Sequence, residues 1–202
     1  MKNHFFKKIQ FDEDFRRYKA GEVLEFKAGI NLIVGDQGCG KSSVFEAIIK
    51  NWGILTVDYD RDSDYIFLDT ESMNPRLDES YKAHREFESW REEDKAKADA
   101  AVNRFAKGYY EQSHGQIMLP LLLANKKVKN KTIFIDEPEA GLSIRSQYKV
   151  LNHYRELSKN NQLIVATHSV IFIKEIGEVL SLEHKKWMSS DEFIESQKII
   201  KQ

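Results

Sequence analysis

Residues 30–50 read Ile30-Asn31-Leu32-Ile33-Val34, then Gly35-Asp36-Gln37-Gly38-Cys39-Gly40-Lys41-Ser42, then Ser43-Val44-Phe45-Glu46-Ala47-Ile48-Ile49-Lys50. The middle segment fits G-x-x-x-x-G-K-[ST] at every fixed position. It lies between a strand-like apolar run and a helix-like one, the setting in which the pattern has a mechanism. Its glycines permit a tight turn, so that N–H groups along Gly35–Ser43 converge on phosphate oxygens. The helix that follows adds unpaired N–H groups and the positive end of its dipole. In this reading Lys41 reaches the β- and γ-phosphates, and the Ser42 hydroxyl ligates Mg²⁺. The segment predicts a strand–loop–helix unit that binds a nucleoside triphosphate.

Further along, the apolar strand Thr132-Ile133-Phe134-Ile135 ends in Asp136-Glu137. Two acids at the carboxyl end of a buried strand stand where α/β folds carry their ligand chemistry. Asp136 is the candidate for holding Mg²⁺ through its water shell, and Glu137 for orienting or deprotonating an attacking water. A second apolar strand, Leu163–Ala166, ends in Thr167-His168-Ser169. A histidine there serves either as a packed or capping residue or, after an acid-bearing strand, as a γ-phosphate sensor that donates a hydrogen bond without permanent charge. Ser113-His114-Gly115-Gln116 also has two readings. It is a helix capping box, with Ser113 as the cap and Gln116 three residues on, or a helix start presenting hydroxyl and N–H groups to a phosphate.

The 202 residues suffice for one α/β domain with a small insertion, and 41% hydrophobic residues exclude a disordered chain. A formal net charge of -1 does not advertise nucleic acid or an anionic membrane as a partner. The lysines at 126, 127, 129 and 131 read first as a solvated loop, with a phosphate track as the alternative. A single cysteine, Cys39, excludes an internal disulfide and suits a reducing, cytoplasmic setting. No apolar run has the length of a membrane helix, so direct membrane insertion is not expected.

Patterning places short strands at His4–Phe11 and Val23–Phe26, which with Ile30–Val34 suggest an antiparallel β layer feeding the phosphate loop. Two further strands are expected at Ile54–Val57 and Tyr65–Leu68. Between Leu77 and Tyr109 apolar residues fall at helical spacing among dense charges, which predicts an amphipathic helical insert. An apolar helix through Ile117–Leu123 follows, with Pro120 near its first turn. Ser143–Asn160 reads as an amphipathic helix. The tail from Val179 is expected to add one strand and a short helix capped by Ser190. The expected fold is α/β, a mainly parallel sheet with an N-terminal antiparallel β layer, in one domain over 1–202 with a helical subdomain inserted at about 72–125.

Taken in order, these elements resemble an ATP-binding-cassette (ABC) ATPase, a P-loop NTPase, over nearly the whole chain. Gly35–Ser42 stands as the phosphate loop, Ser113–Gln116 as the signature, and Ile133–Glu137 as the Mg²⁺ strand. Glu139–Ser143 stands as the D-loop, and His168 as the switch histidine. Asp136–Ser143 with Ala166–Ser169 more narrowly resembles small stand-alone predicted ATPases of bacteria and phages, related to SMC-like and OLD-family heads. The resemblance implies ATP and Mg²⁺ as cofactors and hydrolysis by Glu137, His168 and Lys41. It also implies a head-to-tail homodimer on ATP binding, in which Ser113 of one chain closes on nucleotide held by Lys41 of the other. The expected work is to switch a separate effector protein, in nucleic-acid maintenance or defence. The alternative is the nucleotide-binding subunit of an ABC transporter; a phosphotransferase fits the site residues less well. Departures from the pattern are Gln112 where transporters usually carry Leu, His114 in place of Gly, and Glu71 where the Q-loop glutamine is usual. The Glu71 carboxylate could still touch Mg²⁺ or water. Tyr18 and Phe15 are the candidates for stacking on adenine.

Overall fold

The structure, a computed structural model, describes residues 6–50, 52–59, 64–69, 119–120, 122–123 and 128–198. In chain order its strands are β1 (Phe6–Phe11), β2 (Val23–Glu25), β3 (Ile30–Val34), β4 (Leu55–Tyr59), β5 (Asp64–Asp69), β6 (Lys131–Asp136), β7 (Gln162–Ala166), β8 (Glu178–Ser181) and β9 (Lys186–Ser189). The helices are α1 (Lys41–Lys50), α2 (Ile144–Leu157), α3 (Val170–Ile176) and α4 (Ser190–Lys198). A 3₁₀ turn, Trp52–Ile54, follows α1.

Strands with no polar face must be covered on both sides, and β3 and β7 are buried along almost their whole lengths. They form the centre of a six-stranded sheet, order β5-β6-β7-β3-β8-β9, parallel except for the terminal β8–β9 pair. Side chains alternate between its faces. Leu32, Val34, Ile133, Ile135, Leu163 and Val165 pack with Val150, Tyr154, Phe172 and Phe193 of α2, α3 and α4. Ile33, Phe134, Ile164 and Ala166 face the other way, onto α1 and a three-stranded antiparallel sheet of order β2-β1-β4. Phe6 of that sheet meets Phe134 edge-on, with ring centroids 5.2 Å apart.

Gln162 fastens the two sheets. Fully buried, it accepts from the Phe6 N–H at 2.8 Å and the Thr132 hydroxyl at 3.2 Å, and donates to the carbonyls of Phe6 at 2.7 Å and Lys27 at 2.9 Å. A polar side chain is tolerated at the centre because its hydrogen-bonding groups have partners.

Three expectations need correction. Ile30–Val34 belongs to the parallel sheet, and its place in the antiparallel layer is taken by β4, whose alternating burial suits a half-covered strand. The tail forms a hairpin of two strands, preceded by α3, a seven-residue helix too short to show a clear period. The cap of α4 is Ser189 rather than Ser190. The Ser189 hydroxyl accepts from the Glu192 N–H at 3.2 Å, and the Glu192 carboxylate accepts from the Ser189 N–H at 2.9 Å, a reciprocal capping box. Of the predicted helical insert and the Ile117–Leu123 helix, only Leu119, Pro120, Leu122 and Leu123 lie among the described residues; Leu122 is buried in the core.

Candidate functional site

Parallel strands deliver their carboxyl ends to one edge of the sheet. Ile33 lies beside Ala166, and Ala166 beside Asp136, so the turns after β3, β7 and β6 open side by side. The Gly35–Ser42 loop, the His168 turn and the Asp136-Glu137 pair are thereby brought to a common edge from three separate stretches of the chain.

The loop from Gly35 to Gly40 has a shape that side chains would spoil. A Cβ on Gly35 would stand 2.5 Å from Cys39 Sγ, and one on Gly40, at φ +105°, would stand 2.9 Å from the Tyr18 hydroxyl. The Cys39 N–H closes the turn onto the Asp36 carbonyl at 3.0 Å. Lys41 begins α1 and is buried, 5% exposed, with its ammonium donating to the carbonyls of Gly35 at 3.0 Å and Asp36 at 3.2 Å. Among the described residues no carboxylate pairs with it. Ser42, one position on, is exposed, and Ser43 is half-buried.

Glu137 leaves β6 with φ +45°, a conformation uncommon outside glycine, held by its N–H donating to the Ala166 carbonyl at 2.9 Å. This bend takes the chain out of the sheet and presents the exposed carboxylate at its edge. Oε1 of Glu137 lies 3.7 Å from His168 Nε2. Both groups are solvent-accessible and near enough to reach one small molecule. Asp136, one residue earlier, ends β6 half-buried, with Oδ1 sheltered from solvent.

Other residues of the described structure brace the loop without having been singled out in the sequence. Arg17 donates to the Gly38 carbonyl at 2.5 Å, while Arg16 reaches the Ser43 hydroxyl at 3.3 Å and pairs with Glu46 at 2.6 Å. Glu183, beyond β8, accepts from the Asp36 N–H at 3.0 Å and from Gln197 at 2.9 Å. Burial pushes the Glu183 carboxyl up, but these hydrogen bonds outweigh it and leave the group below the usual carboxylate range. Burial likewise pushes the Cys39 thiol up, against the opposing effect of Lys41. No local motif marks these arginines or Glu183, because they are brought to the loop only by the packing of separate elements.

Tyr18 is not presented to a base. Its ring stacks on Phe11 at 4.3 Å and its hydroxyl donates to the Gly40 carbonyl at 2.9 Å, so it buttresses the loop from behind. Burial raises the phenol to well above its usual value. Phe15 is half-buried, with the Arg16 guanidinium 5.4 Å from its ring centroid. Glu71 and Ser113-His114-Gly115-Gln116 lie outside the described residues, as do Lys126 and Lys127 of the basic run.

Sequence comparison matches residues 13–202 to the AAA domain family. The chain belongs to that family. No curated protein matches the sequence. The AAA-domain fold seen here is shared with ABC ATPase domains. A nucleotide-free ATP-binding cassette from an ABC transporter superposes with a TM-score of 0.56 at 18% identity, covering 95% of this chain and 94% of the other. CbiO1 from Clostridium perfringens, part of the ABC transporter complex CbiONQ, gives 0.56 at 18% identity, covering 96% and 92%. A dimeric ATP-binding cassette in a post-hydrolysis state, bound to ADP and Pi, gives 0.50 at 17%, covering 94% and 97%. At such identities the likeness is one of fold. Among the described residues no helix is long and apolar enough to cross a membrane.

Proposed function

We propose that this AAA-domain chain binds ATP with Mg²⁺ and hydrolyses it to ADP and phosphate. The observation that carries the reading is the 3.7 Å approach of His168 Nε2 to Glu137 Oε1 at the sheet edge where the Gly35–Ser42 loop opens. The residues fit the nucleotide, since a Cβ at Gly35 or Gly40 would collide with Cys39 or Tyr18, and among the described residues Lys41 is a buried cation held by carbonyls and the Cys39 sulfur. They also fit the metal. Among the described residues no three His, Cys, Asp or Glu side chains form a metal cage. The candidate donors are a Ser42 hydroxyl and an Asp136 carboxylate, hard oxygens that suit an ion which keeps several waters and takes one or two protein oxygens plus substrate phosphates.

In this reading Ser42 and Asp136 hold Mg²⁺, with Glu71 as a further candidate. The ion supplies neutralisation of charge on the transferring phosphoryl group. The N–H groups from Gly35 to Ser43 cradle the phosphates, and Lys41 turns from the loop carbonyls towards the γ-phosphate. Glu137 orients the attacking water and accepts its proton, while His168 hydrogen-bonds the γ-phosphate or that water.

The reading extends to a head-to-tail homodimer, in which Ser113-His114-Gly115-Gln116 of one chain completes the site of the other. Its ATP-driven closure switches a separate effector, with nucleic acid as a candidate partner and a cytoplasmic location. The helical subdomain at about 72–125 carries the signature. Glu137→Gln tests this. It should lower turnover by at least about 100-fold while leaving ATP binding intact, and accumulate an ATP-bound dimer visible by light scattering. A variant that stays monomeric at saturating ATP would refute the composite site. Stimulation of hydrolysis by DNA, and its decline with salt, reads out the nucleic-acid branch. Co-purification with a hydrophobic subunit would favour a transporter role.

A further inference from the structure

The turn after β6 and the turn after β7 are joined twice, by side chains that the hydrolytic reading does not use. Glu139 accepts at Oε1 from the His168 backbone N–H at 2.5 Å. Its other oxygen, Oε2, is buried. Burial pushes the carboxyl above its ordinary range, against the hydrogen bonds from the His168 N–H and the Thr167 side chain. The second link comes from α2. Gln147 accepts at Oε1 from the Ser169 hydroxyl at 2.7 Å and donates through Nε2 to the Leu142 carbonyl at 3.2 Å. Ser169 is itself the cap of α3, accepting from the Phe172 N–H at 3.2 Å.

A carboxylate costs more to bury than an apolar side chain of the same size, unless hydrogen bonds offset the loss of water. Here they hold the main chain at His168, the residue whose imidazole stands 3.7 Å from Glu137. Turn 137–143 is stiffened from within as well, by the Ala140 N–H on the Glu137 carbonyl at 3.0 Å and the Leu142 N–H on the Glu139 carbonyl at 2.9 Å. The two turns therefore form one braced unit.

We propose that Glu139, seconded by Gln147, is a positioning residue that fixes the His168 main chain and so keeps the imidazole beside Glu137. The proposal rests on the hydrolytic reading of Glu137 and His168. Neither Glu139 nor Gln147 touches the reacting atoms; both act through His168, and both tie it to the turn that runs through Gly141-Leu142-Ser143.

Steady-state phosphate release by the full chain, over a range of ATP concentrations, tests this with a set of variants. Glu139→Ala should lower kcat about 30-fold with KM for ATP within about threefold, because loss of aim costs rate rather than binding. Glu139→Gln keeps the acceptor oxygen and should stay within about threefold of the unaltered chain in kcat. In a double-mutant cycle, adding Glu139→Ala to His168→Ala should lower kcat by no more than about twofold further, since the first change acts through the second. Should Glu139→Ala not fold, Gln147→Ala gives the same reading from a half-buried site, with kcat down about threefold or more at unchanged KM. Full activity of the alanine variants, a Gln variant as impaired as Ala, or effects that multiply in the cycle would each overturn the proposal. The two readings fail separately. Hydrolysis indifferent to Glu137→Gln refutes the hydrolytic site, whereas hydrolysis that needs Glu137 but ignores Glu139 refutes the brace.

Discussion

Replacing Lys41 by methionine separates a residue held for a ligand from one held for the fold. The ammonium is buried and donates to two carbonyls, at 3.0 and 3.2 Å, with no described carboxylate beside it. Two charge-assisted hydrogen bonds contribute about 3–6 kcal/mol together. Removing an ammonium from water costs several kcal/mol even after relaxation. The two nearly cancel, and methionine fills a similar volume without polar atoms, so the ligand-free chain should change stability by no more than about 1 kcal/mol. For a chain of this size that is a shift of about 2–4 °C in Tm, of either sign. Nucleotide binding has no such compensation. Loss of this buried cation at the loop should cost about 3–4 kcal/mol, a fall of about 100- to 1,000-fold in ATP affinity. Calorimetric melting without nucleotide and titration with a fluorescent ATP analogue measure the two quantities on one preparation. A fall in Tm of more than about 8 °C without nucleotide would make Lys41 a structural strut. Retention of ATP affinity within about tenfold would remove it from the binding site.

Gln162→Leu keeps the size of a fully buried side chain but removes four hydrogen bonds that fasten β1 and the Lys27 turn to β6 and β7. Equilibrium urea unfolding should show a loss of about 3–5 kcal/mol, and a loss below about 1 kcal/mol would mean that packing alone joins the sheets. Glu139 gives a pH signature of the opposite sense to most carboxylates. Its folded-state value is raised above the reference 4.5, chiefly by burial, so the unfolded chain releases its proton first. The stability it contributes is complete below 4.5 and is lost as pH rises through the folded value. Since Glu139→Gln does not titrate, its Tm should gain on that of the unaltered chain as pH rises from the reference 4.5 through the raised folded value. A gap that stays constant, or that narrows with rising pH, would contradict the sheltered carboxyl.

Local chemistry makes much of this protein legible in its sequence. The phosphate loop depends on consecutive residues, so its glycines, Lys41 and the helix start can be read directly, as can the apolar runs that form β3, β6 and β7. The same holds for α2, whose fourteen residues carry a clear period and whose Ser143 cap accepts from the Ser146 N–H at 3.3 Å. Short elements resist. In α3 and the β8–β9 hairpin too few residues repeat for a pattern to rise above chance, and tertiary packing fixes their conformation. Tyr18 shows the limit for single side chains, because an aromatic residue reads equally well as a platform for a base or as a packed buttress until its neighbours are known.

What the sequence determined alone were the local parts of the candidate site: a glycine-lined turn with a lysine, a strand delivering paired acids, and a strand ending in histidine. These follow from near-neighbour geometry, which one stretch of chain can encode. Only the tertiary structure decided that the turns share one edge, that β3 sits inside the parallel sheet, and that Arg17, Glu183 and Glu139 hydrogen-bond to the Gly38, Asp36 and His168 backbone. Those facts depend on strand order and register, set by which apolar faces bury one another across more than a hundred residues of chain.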